Sequence, residues 1–207
     1  MEINVQDLGR QEKYKLLIGG VVPRPIAWVS SSSKDGVVNV APFSYFNVAC
    51  IEPMMISIAV ARKPGGVMKD TARNIQELGE FVVNMVDIHN VEAVNQSSAD
   101  YPPEISEVEE IGLTPQPSKA VQVPRMAESR VHFECKLNQI VHLGDGDNIA
   151  SDLIIGEVVH VHVDDELYFD GKIDTAKFQP VSRLAGLTYA TIGEMFDRPR
   201  GVYEKKE

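Results

Sequence analysis

The stretch from Ser57 to Thr71 combines residue types that could hold a flat ring and an anion. On a strand, Ser57, Ala59 and Ala61 would share one face, and their small size would let a ligand lie against that face. Two cations, a Pro-Gly-Gly turn with accessible backbone amides and the start of a helix near Thr71 follow. Free amides at a helix N-terminus beside cations form a favourable phosphate site. The stretch therefore predicts a flat surface that ends in an anion pocket.

The charge pattern supports the anion pocket. Between positions 62 and 74, Asp70 alone opposes Arg62, Lys63, Lys69 and Arg73, in a chain whose formal net charge is −10. A solvated helix face would give the same pattern and remains the alternative.

Residues 39–47 mix small polar residues with aromatic ones. Because Pro42 cannot donate to a ladder, the segment cannot be an ordinary central strand. Amides and Ser or Asn side chains can meet the edge of a flat, partly polar ring while aromatic residues cover its face. For residues 39–47, the alternative is an irregular turn with buried aromatic residues.

Residues 22–30, with two prolines, are expected to form a stiffened lead into a strand.

The histidines raise the question of a metal. His160 and His162 would face the same side of a strand, and Glu166 follows, which partly resembles the first metal motif of the cupins. However, Gly156 lies too close to His160 for that motif, and no later histidine supplies the remaining ligand. His132 could approach only if its strand pairs suitably, and the same holds for His142. We therefore expect histidines on the polar face of a strand and no metal site.

Several other sites are excluded by missing motifs. The chain has no G-x-S-x-G elbow and no phosphate-binding G-x-x-x-x-G-K-[ST] loop. The glycine pair at 144 and 146 lacks the third glycine of a dinucleotide site, and its aspartates would repel a pyrophosphate.

Composition limits the partners and the location. The 207 residues are 43% hydrophobic, which suits one globular domain, 1–207. Their acidity argues against nucleic acid and anionic lipid. Two cysteines are too few for a disulfide scaffold, no apolar run reaches the length of a membrane helix, and the N-terminus has no secretory pattern. We expect a soluble, cytoplasmic protein without a membrane partner.

Period-two hydrophobic patterns dominate, so the predicted fold is mainly β: an antiparallel barrel with a few helices. Strands are predicted at 25–33, 37–40, 54–61, 81–86, 131–143 and 153–163, with hairpin turns at 34–36 and 144–148. Helices are predicted at 67–78, closed by Gly79, and at 88–99. Residues 100–123, rich in acids and prolines, are expected to form an excursion without regular structure.

The chain contains an ordered set of motifs: Pro-Arg-Pro-Ile-Ala-Trp-Val-Ser from 23, Asn39-x-Ala41-Pro42-x-Ser44-x-Phe46, Lys69-Asp70-Thr71 with Asn74, Gly-Glu-Phe-Val-Val-Asn from 79, Gly-Glu-Val from 156, and Arg183-Leu-Ala-Gly with Tyr189. This set resembles the flavin reductase-like domain family, whose members bind FMN in a Greek-key split barrel. The resemblance covers a core of about residues 16–190, and segment 100–123 carries little of it.

The resemblance implies a homodimer with FMN near the subunit interface. It places the flavin ring near Trp28, Val29, Ser30, Asn39, Ala41, Ser44, Tyr45, Phe46 and Asn47. It places the phosphate near Arg62, Lys63, Lys69, Asp70, Thr71 and Asn74. Arg183 and Tyr189 would reach a partner's cofactor or substrate pocket.

The leading functional hypothesis is an FMN-dependent oxidoreductase that uses NAD(P)H to reduce flavin or a related acceptor, by hydride transfer to flavin N5. Because the flavin would carry the chemistry, no catalytic side chain is predicted. The alternatives are an FMN-binding electron carrier without its own nicotinamide site and, more remotely, a cupin-like metal-binding barrel. The sequence leaves open the choice between NADH and NADPH, the final acceptor, and whether flavin is a bound cofactor or a substrate.

Overall fold

A seven-stranded antiparallel sheet forms the centre of the protein, in a computed structural model that describes residues 1–201 and 203. The predicted single domain also includes positions 202 and 204–207, which lie outside the described residues. The strands of the sheet are β1 (Ala27–Ser32), β2 (Val38–Phe43), β3 (Phe46–Cys50), β4 (Met55–Ala61), β5 (Glu80–Met85), β8 (Val131–Asp145) and β9 (Asn148–Val163). Their order is β2-β1-β5-β8-β9-β4-β3, and every neighbouring pair runs antiparallel.

The sheet has to curl into a barrel, because its two edge strands are joined by a very short link. β2 ends at Phe43 and β3 begins at Phe46, yet these strands occupy opposite ends of the strand order. A flat sheet of this size would hold its edges roughly 29 Å apart. The link from Phe43 to Phe46 spans at most about 11 Å. The predicted mainly β barrel is confirmed.

Short elements surround the barrel. The helices are α1 (Arg10–Gly20), α2 (Asp70–Leu78), α3 (Val91–Gln96), α4 (Glu107–Ile111) and α5 (Thr175–Phe178), with 3-10 turns at Val5–Asp7 and Pro64–Gly66. The two-stranded pairs are β6 (Pro115–Gln116) with β7 (Arg125–Met126), β10 (Tyr168–Phe169) with β11 (Lys172–Ile173), and β12 (Val181–Arg183) with β13 (Tyr189–Thr191). Among the described helices, none combines the length and apolar character needed to cross a membrane.

Both predicted hairpins are present. β1 pairs with β2 across the turn at 33–37, and β8 pairs with β9 across a tight turn in which Gly146 has a φ of 55°. Pro42 lies in β2, an edge strand, where its missing N–H costs no ladder bond.

The bulky residues of the strands fill the barrel. Ile56, Ile58 and Val60 of β4 are buried, as their alternation with small residues predicted. Gly156 of β9 allows the buried ring of Phe81 to approach, since a Cβ at position 156 would lie 2.4 Å from Phe81 Cζ. A side chain at 156 would therefore displace a ring from the core.

Both predicted helices are shorter than expected. α2 begins at Asp70 rather than at 67, because Val67 forms a bridge with Lys63 and the chain is still extended at Lys69. It ends at Gly79, which adopts the left-handed conformation as predicted. α3 occupies only 91–96 of the predicted 88–99, since a turn around the carboxylate of Asp87 precedes it.

The expectation that segment 100–123 lacks regular structure is wrong. Its prolines lie outside α4 and at β6, an edge pairing that does not need the missing N–H of Pro115. α4 packs against β2 through Glu107, whose carboxylate accepts hydrogen bonds from Asn39 Nδ2 at 2.6 Å and from the Val40 N–H at 3.1 Å.

Candidate functional site

The small-residue face of β4 connects two cavities. Ser57 at one end of this face lines a cavity of about 370 Å³, and Ala61 at the other end lines a cavity of about 460 Å³. Ser57 and Ala61 are four positions apart along the strand, a distance of roughly 13 Å. We call the two cavities the apolar cavity and the charged cavity. Together they offer an elongated surface with different chemistry at its two ends.

The charged cavity lies where β2, the end of β4, the start of α2 and the segment after α3 meet. Seven of its lining residues belong to the site predicted from the sequence: Asn39, Ala41, Arg62, Lys63, Lys69, Asp70 and Thr71. The others include Pro42, Phe43, Pro64, Ser97, Asp100, Tyr101 and Glu107.

Arg62 is already paired with a buried carboxylate. Its Nη2 and Nε donate to the two oxygens of Asp152 at 2.7 and 2.9 Å, and its Nη1 donates to the Gly66 carbonyl at 3.1 Å. Burial alone would raise the pKa of Asp152, but hydrogen bonds from Arg62 and His142 hold it below its usual value. Because its N–H groups already donate to Asp152 and Gly66, Arg62 can offer a phosphate its positive charge but few free hydrogen-bond donors.

Lys63 and Lys69 are better candidates than Arg62 for binding an anion. Lys63 Nζ lies 3.0 Å from Asp100 and 3.6 Å from Asp70, so its charge is shared between two partly accessible acids. The Lys69 side chain is exposed, and no carboxylate lies within ion-pair distance of it among the described residues. Lys69 is also the N-cap of α2, where no side chain caps the helix. A cation beside uncapped amides suits a phosphate.

The polar wall of the charged cavity is internally hydrogen-bonded. Thr71 Oγ1 donates to Asn39 Oδ1 at 2.8 Å, while Asn39 Nδ2 donates to Glu107. Asn74 Nδ2 donates to Ser31 Oγ at 3.3 Å, and its buried Oδ1 has no hydrogen-bond partner in the described part of the chain. Asn74, which the sequence predicted near the phosphate, is buried and lines neither cavity in the structure.

The apolar cavity brings together four of the predicted ring contacts, Ser44, Tyr45, Phe46 and Asn47. Its lining residues are Leu17, Val21, Pro23, Arg24, Pro25, Ser44, Tyr45, Phe46, Asn47 and Ser57. Arg24 fixes its floor, because its guanidinium donates to the carbonyls of Ile18, Val21 and Leu184. Burial raises the pKa of Tyr45, which keeps its hydroxyl protonated and able to donate.

The sequence profile of the flavin reductase-like domain matches residues 19–177. The chain belongs to the flavin reductase-like domain family. The resemblance recognised in the sequence is thereby confirmed. The matched range ends before Arg183 and Tyr189.

Relatives in the family cover nearly the whole chain. An uncharacterised protein of Halalkalibacterium halodurans is 56% identical over 202 residues, which cover 96% of this chain and 97% of that protein. Nitrilotriacetate monooxygenase component B from Bacillus cereus matches with a TM-score of 0.93 and 44% identity, covering 95% of this chain and 98% of that one. A 2-nitrobenzoate 2-nitroreductase from Pseudomonas fluorescens matches with a TM-score of 0.88 and 32% identity, covering 100% and 99%. The predicted split-barrel fold is confirmed.

Three residues that the family resemblance implied as ring contacts have interior side chains. Trp28, Val29 and Ser30 are completely buried in this flavin reductase-like barrel. Trp28 Nε1 donates to Ser97 Oγ at 2.9 Å, and Ser30 Oγ donates to the Pro124 carbonyl at 2.7 Å. These side chains support the cavity walls from behind.

Arg183 and Tyr189 line neither the charged nor the apolar cavity, although the backbone of Arg183 pairs with that of Arg24 in the lining of the apolar cavity. They line a third cavity of about 550 Å³ beside α3, where the Arg183 guanidinium stacks 4.4 Å from the centroid of the Tyr189 ring. Tyr189 Oη also donates to Asn95 Oδ1 at 3.2 Å. Within the described chain, the side chains of these two residues contact each other and line neither the charged nor the apolar cavity.

The sequence does not predict the acidic side of the charged cavity. Asp100 and Glu107 line this cavity, although segment 100–123 is predicted to be an excursion from the domain. The signal was the acid run itself, but nothing in the sequence indicated that α4 would pack on β2.

Proposed function

We propose that this flavin reductase-like protein binds FMN and uses NAD(P)H to reduce flavin or a related acceptor. The observation that carries the proposal is the small face of β4, which joins the apolar cavity at Ser57 to the charged cavity at Ala61. A ligand with a flat ring at one end and an anion at the other matches that division.

At the ring end, the protein offers both apolar cover and hydrogen-bonding groups. Tyr45 and Phe46 supply aromatic surface, and Ser44 and Asn47 supply polar groups that suit the pyrimidine edge of a flavin. The combination fits an amphipathic ring better than a purely apolar ligand.

At the anion end, the residues present fit a phosphate. Lys69 and Lys63 supply positive charge beside the uncapped start of α2, and Thr71 supplies a hydroxyl. These are the residues that would hold the ribityl phosphate.

When bound, the flavin would supply the hydride chemistry, receiving hydride from a nicotinamide at N5. The chain's own residues bind and orient it: the small face of β4 permits close approach, and donors near Ser44 and Asn47 stabilise negative charge on the reduced ring. The proposal assigns no acid–base residue.

The relatives support this class of chemistry, since two similar structures are named as a monooxygenase component and a nitroreductase. We further propose a cytoplasmic homodimer. Exposed Leu17 and Val21 at the rim of the apolar cavity, with exposed Val48 and Ile51 on and after β3, form apolar surface suited to a second subunit.

The phosphate placement is tested by comparing FMN with riboflavin. Replacing Lys69 with Ala should weaken FMN binding by about tenfold, the effect of one exposed charge-assisted contact. Riboflavin binding should stay unchanged, because it lacks the phosphate. Fluorescence titration measures both. Lys172→Ala, an exposed lysine on β11, serves as the matched control. Equal losses for both flavins would contradict the placement.

Turnover separates the oxidoreductase from the electron carrier. The wild-type protein with FMN should oxidise NADH or NADPH in the steady state with free flavin as acceptor, and Lys69→Ala should require more FMN for the same rate. Flavin binding without oxidation of either nicotinamide would instead favour the carrier.

A further inference from the structure

Four chemistry-bearing side chains share one face of the β8–β9 hairpin. His132 lies opposite His162 in the strand register, and Glu134 lies opposite His160. Directly opposed residues of antiparallel strands project to the same face, and so do residues two apart on one strand. The pairing therefore brings a carboxylate to the two histidines that the sequence placed side by side. None of the four lines the charged or the apolar cavity.

The carboxylate of Glu134 is buried and held in a fixed orientation. It accepts backbone N–H bonds from Lys119 at 2.7 Å, Ala120 at 2.5 Å and Val121 at 3.2 Å. His162 Nε2 lies 2.5 Å from Glu134 Oε1. Metal-ligating carboxylates are oriented by such hydrogen bonds from outside the coordination shell.

The Glu134–His162 pair has a structural role, because Glu134 anchors the backbone of residues 119–121. That role does not account for the position of His160 beside the pair. The His160 ring lies 4.7 Å, centroid to centroid, from that of His162, and it makes no side-chain hydrogen bond to any described residue. One ligand atom each from Glu134, His160 and His162 lies within 4.8 Å of the others. An accessible imidazole beside an oriented carboxylate and a second imidazole is a set of three convergent donors.

We propose that Glu134, His160 and His162 form a binding site for a divalent transition-metal ion, with Zn²⁺ as the type ligand. Two imidazoles and one carboxylate are a donor set that Zn²⁺ accepts, leaving a fourth position open to water or substrate. Two atoms that each bind Zn²⁺ at 2.0–2.2 Å must lie farther from each other than the 2.5 Å that joins His162 Nε2 to Glu134 Oε1. His162 Nε2 must therefore move away from Glu134 by about 1 Å for the ion to enter. His132, edge-on to His162 with ring centroids 5.9 Å apart, supports that ring from behind.

The proposed site differs from the expectation, drawn from the sequence, that the histidines lie on the polar face of a strand and bind no metal. The missing ligand comes from β8 rather than from Glu166, whose position after β9 does not bring it into the cluster. The inference is independent of the flavin proposal, because the two sites share no residue.

Metal titration of the full-length protein, stripped with chelator, tests the site. Isothermal titration with Zn²⁺ should show one equivalent bound per chain, and Co²⁺ should give the visible absorption of a tetrahedral nitrogen–oxygen site. His160→Ala should weaken Zn²⁺ binding by about 100-fold or more, since even outer-shell changes cost 10–100-fold. Because His160 is exposed, this variant should fold normally, and its FMN binding should equal that of wild type.

The control is His89→Ala, an exposed histidine outside the cluster, which should leave Zn²⁺ affinity unchanged. The proposal is overturned if wild type shows no saturable equivalent, if His160→Ala binds as tightly as wild type, or if His89→Ala loses as much. FMN binding is measured independently of Zn²⁺ binding, so failure of the metal-site proposal would leave the flavin proposal intact, and the reverse also holds.

Discussion

Arg62 illustrates how the same residue can be assigned two roles, depending on what surrounds it. The sequence placed it among phosphate-binding cations, whereas the structure pairs its guanidinium with the fully buried carboxylate of Asp152. An ion this buried is costly without its partner, because the carboxylate has lost its water. Arg62 is thus a support for the barrel next to the charged cavity.

Replacing Arg62 with Ala should lower the free energy of unfolding, because the buried carboxylate of Asp152 would lose both hydrogen bonds from the guanidinium and keep only its contact with His142. Denaturant unfolding at neutral pH measures this loss. Because folding lowers the pKa of Asp152, the wild-type pair contributes stability above about pH 3.9 that is lost as pH falls through the folded-state value. The variant should lack that part of the acid dependence.

The Asp152→Asn change in the Arg62→Ala background is the control, since it removes the buried charge that has lost Arg62 and should restore part of the stability. A single Arg62→Ala variant as stable as wild type would contradict the supporting role.

At the scale of elements, the packing of α4 on β2 decides the electrostatics of the charged cavity. Glu107 reaches Asn39 and Val40 from α4 and faces the same space as Lys63 and Lys69. Burial raises its pKa, although hydrogen bonds from Asn39 and Val40 oppose the shift. A negative charge in this wall moderates the attraction for a phosphate.

Glu107→Gln should therefore strengthen FMN binding by roughly fivefold, equivalent to about 1 kcal/mol of removed repulsion. Riboflavin affinity should not change. Because protonation of the wild-type carboxyl removes the same charge and the pKa of Glu107 is raised, the difference between the two proteins should narrow as pH falls, beginning above the ordinary glutamate value of about 4.3. Fluorescence titration of both flavins across pH provides the measurement.

Glu109→Gln, an exposed position on the same helix, is the matched control. An identical gain from both substitutions would mean that general surface charge, not the cavity wall, sets the affinity.

At the scale of the whole molecule, apolar surface remains uncovered around one end of the barrel. Leu17, Val21, Val48 and Ile51 are between half and almost fully exposed. β3, which carries Val48, is an edge strand of the sheet. A second copy of the chain would cover this surface and close the rim of the apolar cavity.

Val48→Asp should convert the proposed dimer to a monomer, because a carboxylate would be buried in the subunit contact without a partner. Sedimentation equilibrium measures the change in mass. Phe169→Asp on β10 is a control at an exposed apolar residue outside the cavities. A monomeric wild type, or dissociation caused by Phe169→Asp alone, would contradict this interface.

Six of the seven strands of the central sheet and both hairpins could be predicted, because period-two alternation and turn residues are local signals, whereas β3 was not predicted. Long-range pairing could not, and it decides the site: the partner of Arg62 comes from β9, and the carboxylate beside His160 comes from β8. The residues from 39 to 47 and from 62 to 71 do line cavities, since small residues, cations and a helix start are adjacent in the chain. The acids of α4 reach the same space only through tertiary packing.

The burial of Trp28 provides an optical reporter inside the protein. It is the single tryptophan of the chain, its indole is shielded from solvent, and its Nε1 is held by Ser97, a residue of the charged cavity's lining. Emission from that one indole comes from a defined position directly behind the cavity. Occupancy of the cavity by an absorbing ligand is therefore coupled to intrinsic fluorescence, without any label.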